Sequence, residues 1–220
     1  MASNYSSHPR LSRFYLWSHI HANGMFLVIS ALWVVLLYGH GICGALVYDD
    51  ISHIQNNPAL ASWQGTLHYF QTGDLFTQDL LQGGGSSYRP LLWLSLAVDR
   101  HLWGLHPCGF HLTNLLLHWM SGSLYFILLR RMRVPALLAA TVCLLWLGLP
   151  INSEAVAWIS GRTYPLMCVF LASSLLAAES YLAKGSTFTV FLYSMVLLAA
   201  LLSNEEGLLA LPLKIGRAHV

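Results

Sequence analysis

Residues 25–47 read MFLVISALWVVLLYGHGICGALV, 23 positions without one Asp, Glu, Lys or Arg. A helix needs about 20 such residues to cross a bilayer, because the hydrocarbon core is about 30 Å thick and each residue rises about 1.5 Å. The run is too long for the apolar part of a secretory leader, and no small-residue cleavage pattern follows it. It therefore predicts an anchored span. Composition agrees, with 56% apolar and 9% charged residues, where a soluble domain carries about 25% charged. So few charges cannot cover a water-facing surface. The net charge of +2 is too small and too scattered for a nucleic-acid partner.

Further spans are expected at 110–129, stopped by RRMR at 130–133, and at 134–149, ended by Pro150. Two more follow at 163–183, closed by Lys184, and at 186–203. A sixth begins at Gly207 and is followed to Leu213. The expected fold class is all-α, a polytopic membrane bundle of about five complete spans and the start of a sixth. Residues 1–24 form a tail, 25–213 the membrane domain, and 48–109 its first outer loop. Within that loop, 91–103 is apolar but carries Asp99 and Arg100, which suits a helix lying along the membrane surface. QGGGSSYRP at 82–90 is a flexible stretch ending in a rigid Arg-Pro, and no tandem repeat is visible. The closing IGRAHV, 215–220, matches the translation of a common sequencing adapter and is set aside. The chain is then expected to be the N-terminal piece of a longer protein.

Basic residues collect on the cytoplasmic side of membrane proteins. Arg10, Arg13, Arg130, Arg131, Arg133 and Lys184 all fall on one side if the N-terminus is cytoplasmic. Arg89, Arg100 and Arg162 fall opposite, and so do Asp49, Asp50, Asp74, Asp79, Asp99, Glu154, Glu205 and Glu206. Only Glu179 is left on the basic side. Sorting the bases thus sorts the acids, and three sequence-distant interruptions deliver carboxylates to one outer surface. The simpler account is that charges sit at span ends because they are costly in lipid. Cys43, Cys108, Cys143 and Cys168 form no close pair in sequence. They read as small buried hydrophobes, with Cys108 the one placed to be exposed.

His111, Asn114 and His118 step by three and four along one helix face. They suit either the wall of a watery site or hydrogen bonding between helices. The spacing is no metal signature, since Asn is a poor zinc ligand. Arg89 and Arg162 stand at outer span mouths, where a planar guanidinium could grip a phosphate or form a plain ion pair with a nearby acid.

The ordered segments VYDDISHIQNNP, SYRPLLWLSLAVDRHLWGLHPCGFHLTNLLLH, PINSEAVAWISGR and LLSNEEGLLALPL resemble a known membrane region. It is the N-terminal part of the transmembrane, tetratricopeptide-repeat-containing O-mannosyltransferase family and its bacterial relatives, within the GT-C superfamily. The resemblance implies a polyprenyl-phosphate-linked sugar as donor and a protein or glycan hydroxyl as acceptor, joined on the outer face. It implies a catalytic carboxylate in the acidic pair after the first span, which is Asp49 and Asp50 here. One departure stands out: relatives often carry Lys-Glu where this chain has Asn204-Glu205, which leaves Arg89 and Arg162 for the donor phosphate.

These expectations form one scheme, an inverting glycosyltransferase moving a hexose such as mannose. Asp49 is the expected base, Asp50 supports it or a divalent cation, and Glu154 orients the acceptor or base. Arg89 and Arg162 bind phosphate, and His111, Asn114, His118, Glu205 and Glu206 line the site. No other cofactor is called for, and the remaining partner is membrane lipid. The expected location is a bacterial plasma membrane, with the endoplasmic reticulum as the alternative. Two other classes compete. A transporter or lipid-handling protein would place its ionisable groups near the midplane, and a non-catalytic scaffold would carry a C-terminal repeat domain on an inert membrane base.

Overall fold

The structure, a computed structural model, describes residues 9–72 and 88–210. Asp74, Asp79, residues 82–87 and the closing 211–220 lie outside them. All regular structure in the described residues is helical. Helix α1 spans Pro9–Tyr38 and α2 Trp63–Thr72. α3 spans Pro90–Trp103, α4 Pro107–Arg131 and α5 Ala136–Leu147. The short α6 spans Asn152–Ala157, and α7 and α8 span Thr163–Lys184 and Thr187–Ser203. α3 and α4 each open on a proline in the first turn, where a missing N–H costs nothing. α7 stops at Gly185, whose φ of 66° lets its N–H close back on the Tyr181 carbonyl at 2.7 Å.

Among the described residues, three helical stretches are long and apolar enough to cross a membrane: Ala22–Gly41, Pro107–Arg131 and Ile159–Ala183. Two of the expected spans are shorter. α8 has 17 residues and α5 only 12, so α5 reaches about 18 Å at 1.5 Å per residue. Pro135 and Gly148 bound it on either side. A helix ending at membrane depth would strand its last carbonyls away from water. The Gly148 N–H closes on the Leu144 and Leu145 carbonyls and the Leu149 N–H on that of Trp146, and neighbours add to these. Trp33 Nε1 donates to the Leu144 carbonyl at 3.1 Å, and Asn152 Nδ2 to that of Trp146 at 2.5 Å. The Leu147 carbonyl takes Tyr38 Oη at 2.9 Å and His118 Nε2 at 3.1 Å. The expected sixth span starts as a 3-10 helix at Glu205–Ala210.

Packing follows the sequence order of the bundle. α4 is central and meets α1, α5 and α7, while α7 and α8 form a tight hairpin. Phe26, Phe126, Ala139 and Cys143 fill one half of the α1/α4/α5 core; Val34, Leu115, Leu147 and Val156 fill the other. A third cluster joins Ile54, Leu60, Tyr69, Trp93, Leu96, Phe110 and Ile159. It makes the described parts of the first outer loop, 48–72 and 88–109, a packed cap. The helix expected at 91–103 is present as α3, and Leu92, Trp93, Leu96 and Ala97 form its buried face.

Contacts between sequence-distant charges gather at two ends. Arg131 meets Glu179 at one end. Arg89 meets Glu205, and Arg162 meets Asp99, at the other. These are the two sides into which the sequence sorts its charges, and they are called here the basic end and the acidic end.

The cysteines do not all behave as small hydrophobes. Cys43 and Cys108 are joined in a disulfide, whereas Cys143 and Cys168 are free. The bond ties the end of the first span to the start of α4. Such a bond forms and persists mainly in an oxidising compartment. Thiol counting of the denatured full-length protein checks the bond. Of these four cysteines, two label without reductant and all four after reduction, and Cys43→Ser exposes Cys108 as a third label.

Candidate functional site at the acidic end

The acidic pair follows the first span directly, and the local backbone separates its two members. Tyr48 takes a φ of 51°, a left-handed conformation that a bulky residue adopts only under constraint. A tight turn results, with the Asp50 N–H on the Val47 carbonyl at 3.0 Å. Asp49 is left exposed, and Asp50 is turned wholly inward. A π-helical turn, Ile51–Gln55, follows at once. Such turns are rare and gather at functional sites.

A buried carboxylate must be satisfied or it destabilises the fold. Ser160 meets that need for Asp50 from 110 residues away. Its backbone N–H donates to Asp50 Oδ1 at 2.9 Å and its hydroxyl donates to the same oxygen at 2.7 Å. His53 Nδ1 lies 3.4 Å from that hydroxyl and stacks edge-on to Trp93 of the cap. The carboxylate of Asp50 is therefore held in one orientation, with its neighbour Asp49 on the surface beside it.

Arg162 occupies the centre of this end and is fully buried. Its Nη2 lies 2.5 Å from Asp99 Oδ2 and donates to the Phe110 carbonyl at 2.9 Å. Its Nε donates to Asn114 Oδ1 at 2.6 Å. Asn114 in turn donates to the carbonyls of Trp158 at 3.1 Å and Ile159 at 3.4 Å. Asp99 also accepts from the Thr113 hydroxyl at 2.9 Å. Burial pushes the Asp99 carboxyl above its usual range, against the opposing pull of Arg162 and the Thr113 hydroxyl. The expected phosphate grip of Arg162 thus meets a guanidinium with no exposed surface, and the ion-pair alternative is the arrangement observed.

Arg89 is different. Its Nε and Nη2 form a two-pronged contact to Glu205, at 2.9 and 2.6 Å, yet about a quarter of its side chain stays exposed. Arg89 holds the Glu205 carboxyl down at about 2. A depressed carboxylate contributes its attraction above the usual carboxylate range and loses it as pH falls through the depressed value. The pair thus stays charged through the working range. Being exposed, it adds only about 0–1 kcal/mol to stability.

The polar stripe on α4 is buried along its length. His111 Nε2 donates to the Gly44 carbonyl at 3.3 Å, Asn114 fastens Arg162, and His118 helps to close α5. The stripe therefore joins segments by hydrogen bonds. Glu154 on α6 is exposed. Asn204 is buried and accepts the Glu206 N–H at 2.9 Å, which fixes the turn that presents Glu205. Among the described residues no three or more His, Cys, Asp or Glu side chains cluster as a metal site would need. Sequence reasoning missed Ser160 and the partnership of Asp99. The signal for Asp99 was present, as an acid in the middle of an apolar helix.

An all-α membrane bundle whose buried polar layer lies at one end defines the class. Tmtc3 of Drosophila melanogaster, named a protein O-mannosyl-transferase, is 31% identical over 210 residues, covering 83% of this chain and 23% of that protein. Tmtc1 of the same organism, also named a protein O-mannosyl-transferase, is 28% identical over 176 residues, 80% of this chain and 20% of that protein. TMTC4 of Homo sapiens, also named a protein O-mannosyl-transferase, is 29% identical over 214 residues, 85% of this chain and 28% of that protein. The chain belongs to the transmembrane, tetratricopeptide-repeat-containing O-mannosyltransferase family. It spans between a fifth and just over a quarter of the length of these relatives. No family model matches it, and no solved structure does.

Two measurements check the site's electrostatics. Arg162→Met leaves Asp99 buried without its cation, a loss of about 3–5 kcal/mol, and should sharply lower the melting temperature of the full-length protein in detergent. Asp99→Asn, which can still accept from Thr113 and Arg162, should lower it less. Isotope-edited infrared spectra should show the Glu205 band still ionised at pH 4, and Arg89→Met should return its titration to the ordinary range.

Proposed function

We propose that this chain is the donor-facing part of a glycosyltransferase. It moves a hexose such as mannose from a polyprenyl-phosphate carrier to a hydroxyl of a protein or glycan acceptor, at the acidic end of the bundle. The observation that carries this is the Ser160 clamp on Asp50, which holds one carboxylate rigid and leaves Asp49 free at the membrane surface. The acceptor oxygen attacks the anomeric carbon from the face opposite the phosphate. Its O–H proton passes to Asp49, the sugar–phosphate bond breaks, and the phosphate leaves with the electron pair. Configuration at the anomeric carbon inverts.

The leaving phosphate is already acidic, so it needs positive charge more than a proton. Arg89 supplies it by exchanging Glu205 for phosphate oxygens, a charge-assisted grip of the same two-pronged form. Arg162, fully buried and held by Asp99, Asn114 and the Phe110 carbonyl, positions the cap and the Ser160 turn rather than the donor. Glu154 orients the acceptor from α6. A divalent cation, where the reaction uses one, would draw on the exposed Asp49, which suits a hard ion, since Asp50 is fully buried and its second oxygen takes the Val47 N–H at 3.4 Å. The oxidising side is the endoplasmic reticulum lumen or the bacterial periplasm, and the disulfide supports either.

Radiolabelled sugar transfer by the full-length protein tests the assignment. A general base contributes roughly 10²–10⁴-fold, so Asp49→Asn should cut kcat at least a hundredfold. Arg89→Gln should act mainly on the KM for donor. Full activity in Asp49→Asn would remove the base assignment, and donor binding without turnover in the unaltered protein would favour the scaffold.

A further inference from the structure

A cavity of about 350 Å³ opens at the basic end, lined by Asn23, Leu27, Phe126, Ile127, Arg130 and Arg131. It lies between α1 and α4, where the Phe26 and Phe126 rings stack 3.9 Å apart and lock the two helices together. The lining is layered. Asn23 and Arg130 sit one helical turn from Leu27 and Phe126 on their own helices, about 6 Å along the axis. Asn23 also stands at the edge of the apolar stretch that begins at Ala22. The polar groups are thus at headgroup depth, and the apolar groups lie one turn deeper.

We propose that this cavity binds an anionic phospholipid whose headgroup carries hydroxyls, as phosphatidylinositol and phosphatidylglycerol do. The charge comes first. Arg130 Nη1 donates to the Val134 carbonyl at 2.6 Å, which fixes its guanidinium against the cavity. Arg131 lines the same space while holding Glu179 at 3.2 Å and the Ser180 hydroxyl at 3.0 Å. Two guanidinium groups at the mouth of an apolar slot match a phosphodiester on an acyl glycerol. The second observation selects the headgroup. Asn23 Oδ1 is buried and accepts no hydrogen bond from the described residues, and such an acceptor is costly unless a donor reaches it. A phosphodiester offers none, whereas a headgroup hydroxyl does. Leu27, Phe126 and Ile127 then pack against the glycerol and the upper acyl chains.

The site is separate from the acidic end, so its occupancy is read directly as bound lipid. Native mass spectrometry of the full-length protein, given equal amounts of phosphatidylinositol, phosphatidylmethanol and phosphatidylcholine, provides the test. Phosphatidylmethanol is an anionic phosphodiester without a hydroxyl. One phosphatidylinositol should be retained at least tenfold over phosphatidylcholine and clearly over phosphatidylmethanol. Arg130→Gln should abolish the preference over phosphatidylcholine. Ile127→Trp, which fills the slot without touching charge, should abolish retention and keeps the test valid if Arg130→Gln does not fold. Asn23→Leu should make phosphatidylinositol no better than phosphatidylmethanol. Equal retention of phosphatidylinositol and phosphatidylcholine would overturn the proposal, as would unchanged retention in Ile127→Trp. Phosphatidylmethanol held as strongly as phosphatidylinositol would overturn the headgroup assignment.

Discussion

The acidic end is organised around the buried guanidinium of Arg162. A cation with no access to water is costly unless it is paired and hydrogen-bonded, and Arg162 uses its Nε and Nη2 donors to tie three elements. Asp99 brings in α3 and the cap, Asn114 and the Phe110 carbonyl bring in α4, and Arg162 itself immediately precedes α7. Asn114 passes the constraint on to the turn at 158–159. Ser160, inside that turn, then reaches Asp50. The position of the acidic pair is thus inherited from an ion pair that itself never meets solvent.

That arrangement explains why adjacent carboxylates can do different work. Asp50 accepts two hydrogen bonds on one oxygen and is fully buried, while Asp49 is exposed. The left-handed Tyr48 makes the divergence possible, because it turns the chain within a single residue of the span's outer mouth. A strained residue is retained only where the surroundings hold it. Here the disulfide from Cys43 and the Ser160 clamp stand on either side of it.

Much of this was legible in the sequence, for physical reasons. The uncharged run at 25–47 and the rule that bases stay cytoplasmic are strong one-dimensional signals, and they place Arg89, Asp99, Arg162 and Glu205 at one end. The structure joins them in two ion pairs. Pairing itself was not legible, because it depends on which helix faces which. Arg162 looked like a phosphate ligand until Asp99 was seen beside it, and the α4 stripe left site wall and hydrogen-bonding seam equally open. Cys43 and Cys108 could have been paired from topology, since both flank outer span mouths, yet their 65-residue separation hid it. The shortness of α5 was hidden too, because the groups that cap it, Trp33, Tyr38 and His118, come from other helices.

The central claim is that Asp49 faces the reaction while Arg162 and Asp50 stay fastened behind it. A structure of the full-length protein with a non-cleavable polyprenyl phosphonate sugar measures this directly. The account predicts phosphonate oxygens on Arg89, with Glu205 displaced. It also predicts the Asp49 carboxylate on the open face of the anomeric carbon, with the Arg162–Asp99 and Asp50–Ser160 contacts intact. A phosphonate held by Arg162 after release from Asp99, or a sugar bound away from Asp49, would contradict it.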